Sequence, residues 1–312
     1  MVRVVVLGTG TLARFRIEGL RRDARVEWVG IGSARGRSAK EFAVQVGADA
    51  AGSVEEMLDA GPGAVVVAST STSHAAQLWA ALKLGVPILC EKPIATNLAD
   101  SQAIVRASED AGVQLQVGLQ RRFDAELVRA REKVAQGALG ELYSIRLVSH
   151  DRTPPAPRFA ATNGGMFCDL HVHDFDLARW LSGREIQDVF AVAGVRTEYH
   201  YLGELRDVDT TAIVLRMDDG LPVSISGSRH DCGGYQMRAE ILGSKGALVL
   251  GADRFVDYRQ RFRQAFTDQL SAFLDVVAEK RGNPCPGREG LAAERAVAAA
   301  QRSHRERRVV SF

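Results

Sequence analysis

Apolar residues in the first third of the chain fall in short, unbroken runs. Val2 to Leu7, Val26 to Ile31, Ala64 to Ala68, Val86 to Cys90 and Gln114 to Gly118 each read as a strand buried on both faces, the signature of a parallel sheet. Segments with apolar positions three and four apart lie among them: residues 11–20, Ala75 to Leu84 and Ala99 to Ala111, so helix and strand alternate. Past residue 120 the rhythm changes. Glu141 to His150, Asp188 to Val195, Val208 to Met217, Leu221 to Ser228, Tyr235 to Leu242 and Ala247 to Leu250 read as strands, with turn-like Asp218-Asp219-Gly220 and Gly243-Ser244-Lys245-Gly246 between some of them. Consecutive hairpins imply an antiparallel sheet with one open face. One long helix over residues 165–182 interrupts these strands. Helices at Phe262 to Lys280 and Arg288 to Ser303 and a short strand at Arg308 to Val310 close the chain.

The first strand runs directly into Gly8-Thr9-Gly10-Thr11-Leu12-Ala13 and then a helix. In that context Gly8 permits a tight turn, Gly10 lets backbone approach a pyrophosphate, and Ala13 is small enough for close helix–strand packing. The helix start offers free N–H groups to the phosphates. The expected fold is therefore an α/β Rossmann dinucleotide-binding domain over residues 1–120. An α+β domain over residues 121–312 follows, with an open, mainly antiparallel sheet. At 312 residues the chain exceeds what one core usually serves. The last helices are free to pack back on the first domain.

Composition narrows the partners. The chain is 46% hydrophobic and 25% charged, with 40 basic against 38 acidic residues, so it gives no reason to expect nucleic acid or an anionic membrane. Cys90, Cys168, Cys232 and Cys285 are scattered without a CxxC pair, which points to reduced thiols and no zinc site. No charged leader precedes Val2 and no apolar run reaches about 18 residues. A cytoplasmic enzyme or binding protein is expected.

The second strand ends at Gly32-Ser33-Ala34-Arg35-Gly36-Arg37, with no acid between Glu27 and Glu41. A carboxylate there would bind the ribose 2′-OH of NAD; Ser33, Arg35 and Arg37 suit a 2′-phosphate. NADP(H) is the expected cofactor and NAD(H) the alternative; the bland reading makes the arginines the start of a solvated helix. Ser69, Thr70 and His74 lie between the third strand and its helix, where hydroxyls can cap or meet ribose and phosphate. Glu91-Lys92-Pro93 closes the next strand, so Lys92 projects from the ligand-binding end of the sheet. Gln120-Arg121-Arg122-Phe123-Asp124 follows a strand in the same way. One arginine is expected to pair with Asp124, the other to meet substrate.

The densest chemistry is Gly164-Gly165-Met166-Phe167-Cys168-Asp169-Leu170-His171-Val172-His173-Asp174-Phe175-Asp176. On one continuous helix Asp169, His173 and Asp176 share a face, while His171 and Asp174 point elsewhere. His171 and His173 would lie about 200° apart on that helix and could not grip one metal ion, whereas strand geometry would allow it. Two alternatives stand beside catalysis: a metal-dependent hydrolase using His171 and His173, and a non-catalytic dinucleotide sensor. For hydride transfer, His173 suits proton exchange with the hydroxyl and Lys92 suits stabilising the oxyanion. Asp169 would orient the imidazole and accept a substrate hydroxyl.

With Gly8-Thr9-Gly10, Glu91-Lys92-Pro93, Gln120 to Asp124, the Gly-Gly…Asp169…His173 segment, Gly243 to Gly246 and Gly287 to Leu291 in this order, the chain resembles the Gfo/Idh/MocA oxidoreductase family, most closely its inositol 2-dehydrogenase branch. The resemblance implies catalysis by Lys92, Asp169 and His173. It also implies substrate contacts at Arg122, His150 and Tyr235, a cyclitol or sugar substrate, and a homodimer or homotetramer formed through the second domain's sheet. Three positions depart from the branch. The acid after the second strand is absent, Thr70 replaces a proline, and Phe266 replaces a tyrosine, which would change the ring substituent accommodated.

Overall fold

The computed structural model describes residues 1–34 and 36–312; Arg35 lies outside the described residues. The chain forms two compact units, Met1–Leu119 with Thr267–Leu291, and Gln120–Phe266 with Ala292–Phe312.

The first unit alternates strand and helix: β1 (Val2–Leu7), α1 (Thr11–Arg22), β2 (Val26–Gly32), α2 (Arg37–Val46), β3 (Ala50–Gly52), α3 (Val54–Asp59), β4 (Ala64–Val67), α4 (Ser71–Leu82), β5 (Ile88–Cys90), α5 (Leu98–Asp110) and β6 (Leu115–Val117). All six strands are parallel, in the order β3-β2-β1-β4-β5-β6. Val4 to Leu7 and Ala64 to Val67 are fully buried, which is why these strands read as unbroken apolar runs. Strand order reverses between β1 and β4, the place where open α/β sheets take ligands. Leu270, Phe273 and Leu274, from late in the chain, fill the core beside Ala13, Ile17 and Leu20 of α1.

The second unit starts with a 3₁₀ turn (Gln120–Phe123), α6 (Ala125–Ala135), β7 (Leu142–His150) and α7 (Pro157–Ala160). A π turn (Phe167–His171) leads into α8 (Val172–Ser182), followed by β8 (Ile186–Gly194), α9 (Tyr201–Glu204), β9 (Thr210–Met217), β10 (Pro222–Ser228), β11 (Gln236–Gly243), β12 (Gly246–Leu250) and α10 (Tyr258–Arg261). Helices α11 (Arg263–Val277) and α12 (Gly287–Glu306) each begin in one unit and end in the other, and β13 (Val310–Ser311) is last. The seven strands run β12-β11-β7-β10-β9-β8-β13. The sheet is mainly antiparallel, as expected, with one parallel pair: β10 returns from its hairpin with β9 and lies beside β7 instead of beside β11. Ile145, Leu147, Ile213, Leu215, Val223 and Ile225 fill the covered face.

The long helix expected over residues 165–182 is two pieces. Helix α8 is buried along nearly its whole length and ends at Gly183, whose φ of 70° and N–H to Arg179 O form a left-handed cap. The π turn that precedes it breaks the α-helical phase on which the single-face grouping of Asp169, His173 and Asp176 rested.

Candidate active site

In the first unit the glycine turn is shaped for close approach. Gly8 has φ +133° and its amide donates to Gly32 O at 2.9 Å; an added Cβ would stand 2.4 Å from Ala68 O. Gly10 caps α1 and, among the described residues, no side chain bonds the helix amides there and an added Cβ would meet nothing within 4 Å. Thr9 and Leu12 are half-buried and Thr11 exposed, so the first-turn N–H groups of α1 border open space. These residues fit a pyrophosphate.

The end of β2 presents Ser33, buried and hydrogen-bonded to Ser38 at 2.8 Å, and Arg37, exposed and paired with Glu41 at 3.0 Å. Ser69 donates to Gln77 Oε1 at 2.8 Å, and Thr70 takes the cap position of α4 with its hydroxyl 3.2 Å from Ser73.

Two residues expected at the cofactor, His74 and Glu91, are buried and bonded within the first unit. His74 places Nδ1 2.7 Å from Pro93 O and Nε2 3.3 Å from Ser69 O, tying the turn after β4 to the turn after β5. Burial holds its pKa below the usual imidazole range, despite the two carbonyls. Glu91 is 4% exposed and takes the guanidinium of Arg16, which also donates to Gln269. The pair links α1 to the end of β5, and removing one partner would leave a buried charge uncompensated. Lys92, the next residue, is half-buried beyond that strand end.

In the second unit the ionisable cluster sorts by partner. Arg121 donates to Asp174 Oδ1 at 2.6 Å and to Ser149 at 3.1 Å; His171 contacts Asp174 Oδ2 at 2.8 Å through Nδ1 and Thr211 at 2.7 Å through Nε2. Burial alone would raise the Asp174 carboxyl, but Arg121, His171 and Ser149 hold it down at about 2. Gly227 makes room for the imidazole, since a Cβ there would come within 2.4 Å of His171 Cε1. With both His171 nitrogens engaged, the metal-pair reading loses a ligand, and the described residues contain no His/Cys/Asp/Glu cluster suited to a metal.

Arg122 grips Asp176 with Nε at 3.0 Å and Nη2 at 2.5 Å. The Asp124 carboxylate caps α6 and takes Arg261, a partner 137 residues away that local reading could not supply. Tyr235 is buried against Phe262 with its hydroxyl toward Arg121, and burial pushes the phenol up. His150 contacts Asp231 Oδ2 at 3.0 Å, and Asp231 also takes Arg254 at 2.8 Å. Phe266 is buried against Tyr258.

Asp169 is half-buried in the π turn, with Arg229 Nη1 at 2.9 Å and Asn163 Nδ2 at 3.3 Å from Oδ2. His173 is buried in the first turn of α8. The loop before the π turn is anchored by Asn163, which accepts from Gly165 N, and by Asp207, which accepts from Met166 N at 2.7 Å. Arg229, Asn163, Asp207, Asp231 and Arg254 were missed in the sequence.

Among the described residues no helix is long and apolar enough to cross a membrane. Residues 2–119 match the model of an oxidoreductase family with an NAD-binding Rossmann fold, and residues 127–249 match the GFO/IDH/MocA C-terminal domain. A myo-inositol dehydrogenase of Streptomyces leeuwenhoekii is 35% identical over 96% of both chains, and a myo-inositol 2-dehydrogenase of Thermotoga maritima is 29% identical over 100% of this chain and 98% of its own. The crystal structure of a myo-inositol dehydrogenase from Corynebacterium glutamicum superposes with a TM-score of 0.92 at 25% identity, over 100% of this chain and 99% of that one. The glycine turn after β1, the mixed sheet that follows the Rossmann unit and the match of both family models make this chain a member of the Gfo/Idh/MocA family of NAD-binding oxidoreductases.

Proposed function

We propose that this oxidoreductase prefers NADP(H) over NAD(H) and interconverts a secondary alcohol and a ketone on an inositol or sugar-like polyol. The carrying observation is how the ionisable groups between Asp169 and Asp176 are sorted. His171, Asp174 and Asp176 are buried with their partners in the second unit, whereas Asp169, though paired with buried Arg229, is itself half-exposed on the turn before α8. The inositol dehydrogenases among its relatives support a polyol substrate.

A bound dinucleotide would supply the hydride acceptor or donor at its nicotinamide. Gly8, Thr9, Gly10, Thr11 and Leu12 would hold the pyrophosphate, and Ser69 and Thr70 would meet the ribose side. Arg37 would meet a 2′-phosphate. Its present partner Glu41 forms a surface pair worth little, so a phosphate can displace it. During oxidation His173 takes the hydroxyl proton, Lys92 stabilises the developing oxyanion, and Asp169 accepts a neighbouring hydroxyl. His150 and Tyr235 would line the substrate side, with Arg122 acting through Asp176.

The same reading includes assembly. On the open sheet face Phe190 stands opposite Val214, both exposed beside exposed Val192, and a second copy of the chain would cover them as a homodimer or homotetramer. Light scattering on the purified protein tests this, and a monomer at micromolar concentration counts against it.

The activity test is a screen of inositol isomers and aldoses with NADP and NAD separately, followed by reduced-nicotinamide fluorescence. Turnover of a polyol with the lower KM for NADP is expected. A clear NAD preference removes the cofactor assignment; no turnover with any polyol favours a sensor. Lys92→Met should bind cofactor and lose turnover, and retained turnover would refute the role of Lys92.

A further inference from the structure

Arg229 begins the segment after β10 and is 2% exposed, and like buried Arg121, whose Nε is also unfilled among the described residues, it leaves part of its fork unused. Arg122 and Arg179 each present Nε and Nη2 together to one carboxylate, Asp176 and Glu185. Arg229 uses Nη1 alone, 2.9 Å from Asp169 Oδ2 and 3.1 Å from Asp151 Oδ2, while Nε and Nη2 have no hydrogen-bond partner among the described residues. Burying a guanidinium with part of its fork unfilled is costly, so packing alone is a poor account of the residue.

The backbone holds Arg229 in place, its amide donating to Asp209 O at 2.7 Å. Asp209 is itself fixed by the amides of Arg196 and Thr197. On the other side, Asp169 belongs to a turn held by Asn163 and Asp207. The charged and titratable groups facing the guanidinium are Asp151 from the end of β7, Asp169 from the π turn, Asp207 from the loop before β9 and Tyr201 from α9. One cation thus lies among three acids, and the shortest contact goes to Asp169.

We propose that Arg229 is a positioning residue for the reaction: its buried ion pair holds the Asp169 carboxylate as an anion in one orientation, so that Asp169 meets the polyol as a hydrogen-bond acceptor and not as a proton donor. Asp151 shares the same nitrogen and draws off part of that charge. The inference rests on the reading of Asp169 as a substrate-side residue.

The test uses the full chain with the polyol and cofactor that the wild type turns over best. Arg229→Gln should lower kcat/KM for the polyol about 100-fold by loosening Asp169. It should also move the acid limb of the pH profile up by about one unit, since the carboxylate loses its cation. Cofactor Kd should stay within about twofold, and Arg229→Lys should recover part of the loss while restoring the limb. Asp151→Asn should move the limb the other way. Acid limbs that stay put in both Arg229→Gln and Asp151→Asn overturn the proposal. If both arginine variants fail to fold, Asp151→Asn decides: a downward shift supports the proposal and no shift overturns it. Asp169→Asn separates the two layers. Full turnover in that variant sinks the reading of Asp169 itself, whereas lost turnover there with unmoved limbs elsewhere sinks only the role of Arg229.

Discussion

Arg16 Nη2 lies 2.8 Å from Glu91 Oε1, with side-chain exposures of 0% and 5%. The pair joins the helix that follows the glycine turn to the residue before Lys92, and Gln269 completes it from a helix far along the chain. Glu91→Ala strands a buried guanidinium, and denaturant unfolding should register a loss of about 3–5 kcal/mol. Replacing both partners, Arg16→Met with Glu91→Leu, should recover much of that. A Glu91→Ala protein of unchanged stability but weakened cofactor binding would return Glu91 to the ligand.

The two glycines of the turn should separate folding from binding. At Gly8 a methyl group meets Ala68 O at 2.4 Å in a left-handed conformation, so Gly8→Ala should cost stability, about 2 kcal/mol or more, by thermal unfolding. At Gly10 the same methyl meets nothing within 4 Å among the described residues. Gly10→Ala should therefore fold normally, with its cost appearing as weaker dinucleotide affinity in a titration. Equal effects at both positions would mean that Gly10 is not approached by a ligand.

His74 gives the first unit a pH signature. Burial lowers its folded pKa below that of the unfolded chain, so it stabilises the fold above the unfolded value near 6.5. That stability is lost as pH falls through this value, because unfolding then takes up a proton. The melting temperature should drop between pH 7 and pH 5.5 in the wild type, and His74→Gln should flatten that part of the curve. An unchanged slope in the variant assigns the drop to another group.

His171 and Gly227 should behave as a unit. Gly227→Ala drives a methyl into the imidazole at 2.4 Å, and both ring nitrogens are already committed to Asp174 and Thr211. Turnover should fall at least about tenfold, with cofactor affinity unaltered, because the π turn carrying Asp169 must shift. His171→Ala in the Gly227→Ala background should add little further loss. Additive losses would show that the two positions act separately.

The Arg121–Asp174 pair predicts acid sensitivity in the second unit. Asp174 is held at about 2, below its unfolded value, so its stabilising effect is complete above the unfolded pKa and fades as pH drops toward 2. Asp174→Asn should weaken the fold at neutral pH and show a shallower acid-unfolding curve below pH 4 by circular dichroism.

The parallel sheet and its nucleotide turn were legible in the chain because strands buried on both faces leave unbroken β-branched runs, as at Val4 to Leu7, and because the Gly8–Gly10 spacing follows one of them directly. β3 and α3, of three and six residues, are too short to carry a period. The hairpins of the second unit were signalled by Asp218-Asp219-Gly220 and Gly243 to Gly246, since turn chemistry is local. What lies beside what was decided only in three dimensions. The β7–β10 pairing is parallel because of where a hairpin returns, and the π turn exists in a context where His171 reaches Thr211 on β9. Asp169 and Arg229 stand 60 residues apart in sequence, and Arg16 and Glu91 stand 75 apart. An ion pair depends on distance through space, and a carboxylate in a linear sequence carries no mark of which cation the fold will bring to it.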